Sequence, residues 1–144
     1  MIRQATVADA AAVAALAVQL WPDHTIDEMT AEFAPMLGDP AAAVFLAEAE
    51  GTPVGFAQCQ LRREYVEGAP ASPTGYLEGV YVVQSHRRTG LAGQLLAACE
   101  KWAGAQGCTE FASDCELDNA ASLVFHLRMG FDEASRNIHF IKQL

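Results

Sequence analysis

The sequence predicts an α/β fold of the α+β kind, in which helices flank a mixed, mostly antiparallel central sheet. Two observations lead to this prediction: strand-like segments mostly follow one another through short turns, and one long amphipathic segment joins two apolar strands. Short turns give antiparallel neighbours, whereas a strand–helix–strand crossover gives a parallel, right-handed pair. The 144 residues are about one domain in length, so we expect a single domain over 1–144.

The opening segment predicts one short strand followed by two helices. Residues 2–5 read as the strand, and Thr6-Val-Ala-Asp9 resembles a capping box that begins an Ala-rich helix. The pair Trp21-Pro22 ends that helix, because the residue before a proline avoids the helical conformation. A second capping box, Thr25-Ile-Asp-Glu28, begins the next helix.

The middle of the chain predicts three strands. Residues 44–49 and 54–61 are apolar runs on either side of the turn 50–53, which makes them a hairpin. A proline-containing loop over 67–75 then leads into a third run, 76–83, which is rich in Val and Tyr.

The last third predicts a helix, a strand, a second helix and further strands. The helix over 90–105 carries its apolar residues at helical spacing, and the strand over 109–113 follows it. Asn119 caps a helix that reaches Met129. The segment from Phe131 to the C-terminus predicts one or two final strands.

Composition excludes several classes of protein. The net charge of −9 argues against a nucleic-acid binder, which needs a basic face, and suits a cationic partner. No apolar run reaches the roughly 18 residues of a membrane span, and the N-terminus lacks a signal-peptide pattern. We therefore expect a cytoplasmic protein. The four cysteines have neither zinc-ligand nor Cys-x-x-Cys spacing and read as small buried apolar residues or free thiols.

One segment carries the chemistry: an apolar strand, the basic turn His86-Arg87-Arg88, two glycines and a helix start. The first amides of a helix have no partner inside it, and the helix dipole adds positive charge there. Gly90 and Gly93 let the backbone approach a bulky anion. The segment therefore predicts a phosphate or diphosphate site, with an exposed turn bearing two solvated arginines as the alternative. The glycine patterns of P-loop and Rossmann proteins are missing.

The motif Arg87-x-x-Gly90-x-Ala92 resembles the acyl-CoA diphosphate loop of the GCN5-related N-acetyltransferases (GNAT). The resemblance covers nearly the whole chain, from the opening strand to the segment 119–131. Within this superfamily the chain resembles bacterial aminoglycoside 6′-N-acetyltransferases. The pieces that carry the narrower resemblance are 21–24, 65–68, 76–82, 107–108, 112–114 and 125–126.

The resemblance implies the GNAT fold, with a splayed parallel strand pair and about four helices, and acetyl-CoA as cosubstrate without a metal. The residues that it places at the cosubstrate are Val80, Tyr81, Val82, Arg87, Arg88, Thr89, Gly90, Leu91, Ala92, Gly93, Asn119 and His126. It implies that His126 stands where many relatives have a tyrosine that protonates the leaving thiolate. It also implies a homodimer.

The acceptor amine is itself the nucleophile in such a reaction, so a base must take its proton. Asp114 and Glu78 are the candidate bases, because one ends a strand of the parallel pair and the other lies within its neighbour. The residues implied at the acceptor are Trp21, His24, Tyr65, Glu78, Gly79 and Asp114.

The leading hypothesis is direct acetyl transfer to a primary amine of a polycationic small molecule, foremost the 6′-amine of an aminoglycoside. A polyamine, an amino acid or a protein amine is the alternative acceptor with the same chemistry. A non-catalytic acyl-CoA-binding module is the alternative of another class, since it would keep the arginine and glycine segment without using the carboxylates.

Overall fold

The computed structural model describes residues 1–144, with five strands and four α-helices. In chain order these are β1 (Ile2–Gln4), α1 (Ala10–Leu20), α2 (Ile26–Leu37), β2 (Ala42–Ala49), β3 (Thr52–Arg62), β4 (Thr74–Val82), α3 (Leu91–Ala105), β5 (Phe111–Ser113) and α4 (Ala120–Arg128). Single turns of 3₁₀ helix precede α1, at Val7–Asp9, and α3, at Gln84–His86.

The sheet confirms the predicted fold class. Its strands lie in the order β1-β2-β3-β4-β5, the first four antiparallel and the last pair parallel across the α3 crossover. Pairing between β4 and β5 ends at Leu77 and Ser113, although β4 continues to Val82. The two parallel strands therefore part, and one edge of β4 is left without a partner strand.

A β-bulge in β4 changes which way its residues face. Leu77 pairs with Cys59, but the adjacent residue Gln58 pairs with Gly79, so Glu78 is the extra residue. Beyond the bulge the amide of Val83 donates to the carbonyl of Val54, 2.9 Å away. Because hydrogen-bonded and non-bonded residues alternate in an antiparallel pair, the backbone groups of residues 80 and 82 point to the open edge.

Each face of the sheet packs against its own helices. On one face α3 supplies Leu95, Leu96 and Cys99 to a buried cluster that includes Leu77 and Val82. A second cluster is built from α1, α2 and the opposite sides of the strands: Val13, Leu16, Met29, Phe33, Val44, Leu46 and Phe56 are among its members. No helix is both long and apolar enough to cross a membrane. All four cysteines are free, as predicted.

The predicted N-caps Thr25 and Asn119 are confirmed, whereas a 3₁₀ turn changes the predicted helix start at Thr6. The amide of Glu28 donates to Thr25 Oγ1 at 3.1 Å, and the amide of Ser122 donates to Asn119 Oδ1 at 3.1 Å. At the first helix a 3₁₀ turn intervenes before Ala10, and the Asp9 carboxylate accepts two hydrogen bonds from Arg3, at 2.8 and 2.9 Å. Asp9 thereby ties the helix entry to β1.

The prediction of strands after Phe131 is wrong for this chain. Residues 131–144 form no regular secondary structure, and the side chains of Ile138, Phe140 and Ile141 are exposed. The alternating apolar pattern favours a strand, but a strand needs a neighbour to pair with, and nothing in the chain pairs with this segment.

The contact between Arg3 and Asp9 predicts a specific loss of stability in acid. The Arg3 side chain, followed by the Thr6 amide, holds the pKa of Asp9 well below its ordinary value. The folded state thus binds this proton more weakly than the unfolded state, so the stabilisation is present above about pH 4 and is lost as the pH falls. In thermal melts Asp9→Asn should melt below the parent protein at pH 7, with the gap narrowing from about pH 5 to about pH 2. Asp23→Asn, at an exposed carboxylate, is the control, and a constant gap for Asp9→Asn would contradict the assignment.

Candidate active site

The N-terminus of α3 presents unpaired backbone amides. Gly90 precedes the helix in the left-handed conformation, with φ of 83°, and has no side chain to cap it. The amide of Gln94 makes the first helical bond, to the Gly90 carbonyl at 3.1 Å. The amides of residues 91–93 therefore have no partner inside the helix and are available to an anion.

A cavity of about 350 Å³ opens at this helix start. Predicted cosubstrate residues that line it are Val82, Arg87, Arg88, Gly90, Leu91, Ala92 and Gly93; α4 and its C-terminal end add Ala121, Val124, Phe125, Arg128 and Met129, and His86 completes the lining. Three arginines thus surround one cavity in a protein of net charge −9. Arg87 is oriented by its Nε, which donates to the Val82 carbonyl at 2.8 Å.

The open edge of β4 leads from this cavity towards the point where β4 and β5 part. The backbone groups of Val80 and Val82 point to that edge, and their side chains belong to the cluster under α3. An extended ligand can therefore pair with the strand as a further strand would. Tyr81 faces the other way: its hydroxyl donates to Gln19 Oε1 at 2.7 Å, and the Arg87 guanidinium lies 5.5 Å from its ring centre.

Glu78 lies on the α1 side of the sheet, and both of its carboxylate oxygens accept hydrogen bonds. Its Oε1 accepts from Gln60 Nε2 at 2.7 Å and from Arg62 Nη2 at 2.8 Å, and its Oε2 accepts from the same Nη2 at 3.1 Å. Burial lowers the pKa of Arg62 and the bonds to Glu78 raise it, with a net rise above the ordinary value. The charge of Glu78 is therefore balanced within the chain.

Asp114 follows the last residue of β5 and has one side-chain partner. The Tyr76 hydroxyl donates to its Oδ2, and Oδ1 accepts no hydrogen bond within the chain. The Arg62 guanidinium stacks on the Tyr76 ring, 3.4 Å from the centroid. The two predicted acids are thus brought into one network, through Tyr76 and Arg62, with Asp114 the one whose charge no cation of the chain contacts directly.

Trp21 lies beside this network. A Cβ on Gly79 would come within 2.7 Å of the Trp21 ring, so the absence of a side chain there lets the indole lie on β4 next to Glu78. The ring also contacts Phe56 edge-on, with centroids 6.1 Å apart. Trp21 and Gly79 therefore form an apolar wall next to Glu78.

The other two predicted acceptor residues lie on exposed turns. His24 Nδ1 lies 3.4 Å from Glu28 Oε2, and the Tyr65 hydroxyl donates to Glu67 Oε2 at 2.6 Å. The side chain of Tyr65 is 81% exposed. Neither residue contacts Asp114 or Glu78 in the chain as it stands.

Three further predicted cosubstrate residues make contacts within the chain. The Asn119 side chain caps α4, and Thr89 Oγ1 donates to the His86 carbonyl at 2.6 Å. His126 Nδ1 lies 2.7 Å from the Ser122 carbonyl, which only accepts, so Nδ1 carries a proton. Its Nε2 lies 2.8 Å from Ser113 Oγ. His126 thus connects α4 to the end of β5, where the strands part.

Sequence reasoning missed Gln60, Arg62, Tyr76 and Arg128. The first two have a signal in the sequence, because polar residues alternate at 58, 60 and 62 in an otherwise apolar strand. Tyr76 and Arg128 have none, since one resembles a core aromatic residue and the other a solvated helix end.

Comparison with known proteins identifies the family. Residues 10–131 match the family model described as "Acetyltransferase (GNAT) family". The chain is 44% identical over 140 residues to an aminoglycoside N(6′)-acetyltransferase type 1 of Stenotrophomonas maltophilia, covering 96% of this chain and 90% of that protein. A protein of the same name from Salmonella typhimurium is 40% identical over 125 residues, which cover 87% of this chain and 86% of that protein.

Solved structures give the same result. AAC(6′)-Iy in complex with the bisubstrate analogue CoA-S-monomethyl-acetylneamine superposes with a TM-score of 0.94 at 38% identity, over 100% of this chain and 98% of that chain. The 6′-N-acetyltransferase AAC(6′)-Ih of Acinetobacter baumannii superposes with a TM-score of 0.93 at 34% identity, again over 100% and 98%. With the sheet topology and the open helix start, these matches show that the chain belongs to the GNAT family of acetyltransferases.

Proposed function

We propose that this protein transfers the acetyl group of acetyl-CoA directly to a primary amine of a polycationic small molecule, the 6′-amine of an aminoglycoside. The observation that carries the proposal is the 38% identity, over the whole chain, to an enzyme solved with a ligand that joins CoA to an acetylated neamine. The corresponding biological role is antibiotic resistance.

The cavity at α3 fits the cosubstrate. Arg87 and Arg88 and the free amides of residues 91–93 form the diphosphate site, since each supplies donors to phosphate oxygens. Val80 and Val82 hold the pantetheine arm by strand-like pairing at the open edge. Acetyl-CoA supplies the thioester, and the chain's contribution to rate is mainly to hold that group and the amine in reacting geometry.

The acids on the other side take the amine. Asp114 accepts the proton of the attacking nitrogen, because its Oδ1 is free and no cation of the chain contacts it. Glu78, held by Gln60 and Arg62, contacts the acceptor and does not serve as the base. Trp21 covers an apolar face of the sugar. The proton that Asp114 takes comes from nitrogen as the N–C bond forms. The C–S bond breaks, and CoA leaves as a thiolate that takes a proton from solvent to give the free thiol.

We further propose that the protein is a cytoplasmic homodimer. Four free cysteines fit a reducing compartment. The C-terminal segment carries apolar side chains that one chain leaves in water, Phe140 at 89% and Ile141 at 97% exposure. A second copy is the occupant that we propose for this segment, because several large apolar side chains so close together in the chain are costly to leave solvated.

The proposed activity predicts release of free CoA thiol when the protein is incubated with acetyl-CoA and kanamycin or tobramycin. Mass spectrometry should find one added acetyl group on the 6′-nitrogen. Spermidine, lysine and a lysine-containing peptide are the comparison acceptors. If one of these is acetylated faster, it replaces the aminoglycoside as the proposed acceptor. Binding of acetyl-CoA without turnover of any amine would favour the non-catalytic module.

Two substitutions should affect opposite halves of the site. Asp114→Ala is expected to lower kcat by roughly 10²- to 10⁴-fold, the usual contribution of a general base, with little change in acetyl-CoA affinity. Arg87→Ala is expected to weaken acetyl-CoA binding by about tenfold or more, the scale of a charged hydrogen bond, with a smaller effect on kcat. Steady-state kinetics and calorimetric titration measure the two effects.

Matched controls are available in the same chain. Glu116→Ala removes an exposed acid two residues from Asp114, and Arg63→Ala removes an exposed arginine remote from the cavity. Both should behave like the parent protein. Equal loss of turnover and cosubstrate affinity in Asp114→Ala would contradict the assignment of the base.

The dimer is tested by replacing an exposed apolar residue of the C-terminal segment. Phe140→Asp should convert a dimer to a monomer in size-exclusion chromatography with light scattering, because it places a charge in the proposed interface. Ile26→Asp, at an exposed apolar residue on α2, is the control and should remain dimeric. A monomeric parent protein at micromolar concentration would refute this part of the proposal.

A further inference from the structure

The two acids of the site, Glu78 and Asp114, have different hydrogen-bond partners. Glu78 receives hydrogen bonds from an amide and from a guanidinium, whose Nε also lies 3.2 Å from Oε1. Asp114 receives one bond, from a neutral phenol, on one of its two oxygens. Both oxygens of Glu78 are thus occupied by a cation of the chain, whereas Asp114 retains a free oxygen.

Tyr76 is fixed from several directions. It is 6% exposed, it pairs with Gln60 on β3, and its neighbour on β5 is Ala112. The Arg62 guanidinium covers one face of its ring at 3.4 Å while it binds Glu78. The phenol therefore has little freedom, and Asp114, on an otherwise exposed strand end, takes its orientation from the phenol.

The Tyr76 hydroxyl keeps its proton at neutral pH. Burial, followed by the hydrogen bond to Asp114, raises the pKa of Tyr76 above its ordinary value. At neutral pH the hydroxyl is a donor to the carboxylate and is not a base.

From this arrangement we infer that Tyr76 is a positioning residue for the transfer reaction: its hydroxyl occupies Asp114 Oδ2 and directs Oδ1 to the acceptor nitrogen, while Arg62 holds the ring from the other side. The inference rests on the proposed function for the role of Asp114. It adds a residue that does not touch the substrate and acts through the base.

Tyr76→Phe keeps the ring and removes the hydroxyl. We expect kcat to fall by roughly ten- to a hundredfold, the scale of a misplaced reacting group, with the KM values for acetyl-CoA and aminoglycoside little changed. In an Asp114→Asn background the same substitution should change kcat by less than about threefold, because the base through which it acts is gone. An equal loss in both backgrounds, or an unchanged kcat in Tyr76→Phe, would overturn the inference.

A second variant approaches the ring from the other side. Arg62→Lys keeps a positive charge near Glu78 but loses the planar stack on Tyr76. It should lower kcat in the parent protein and have a much smaller effect in the Asp114→Asn background. Arg63→Lys, at the neighbouring exposed arginine, should have no effect in either background.

The contact is also measurable without a substrate. In denaturant unfolding, the losses of stability in Tyr76→Phe and Asp114→Ala should sum to more than the loss in the double variant, since each substitution removes the same hydrogen bond. Additive losses would refute the contact itself. A parent protein without turnover would refute the proposed function, and the unfolding cycle would still decide whether Tyr76 holds Asp114.

Discussion

The unpaired edge of β4 is the constraint on which the rest of the site depends. β5 is only three residues long, so the backbone groups of β4 that lie beyond Leu77 and point away from β3 have no strand to bond. Unpaired groups on a strand edge recruit a partner of extended shape. The bulge at Glu78 sets the phase of this edge, because it turns the backbone groups of Val80 and Val82 outwards while it places Glu78 and Gly79 on the face towards α1. One irregular residue therefore serves both halves of the site.

Positive side chains cluster locally although the net charge of the chain is −9. An acidic chain repels a polyphosphate at long range, so the cavity at α3 combines Arg87, Arg88 and Arg128 with helix amides at short range. On the other side of the sheet Arg62 balances Glu78 and leaves Asp114 without a cation. In the proposed reaction, the anionic cosubstrate and the cationic acceptor would therefore bind two separate surfaces, which the gap between β4 and β5 joins.

What the sequence could predict follows from how local each signal is. Capping residues such as Thr25 and Asn119, the glycine at position 90 and the apolar spacing of α3 act within a few residues, and each was predicted in place. The free amides at the start of α3 depend on equally local signals. The bulge at Glu78 and the contact of Arg62 with Tyr76 depend on the register of β3 against β4, which no short motif specifies. The predicted C-terminal strands failed for the same reason, because a strand is defined by a neighbour and its sequence alone does not supply one.

Helix α4 differs from the other helices in having no fully buried residue. Its contacts with the body of the protein include the link from His126 to Ser113 and the wall that it gives to the cavity at α3. Elements with so little buried surface open at low free-energy cost, independently of global unfolding. A ligand in the cavity would therefore order this helix. The conformational entropy lost on ordering would lower the affinity of that ligand. Substitutions on the outer face of α4 thus offer a route to change residence time without altering the residues that react.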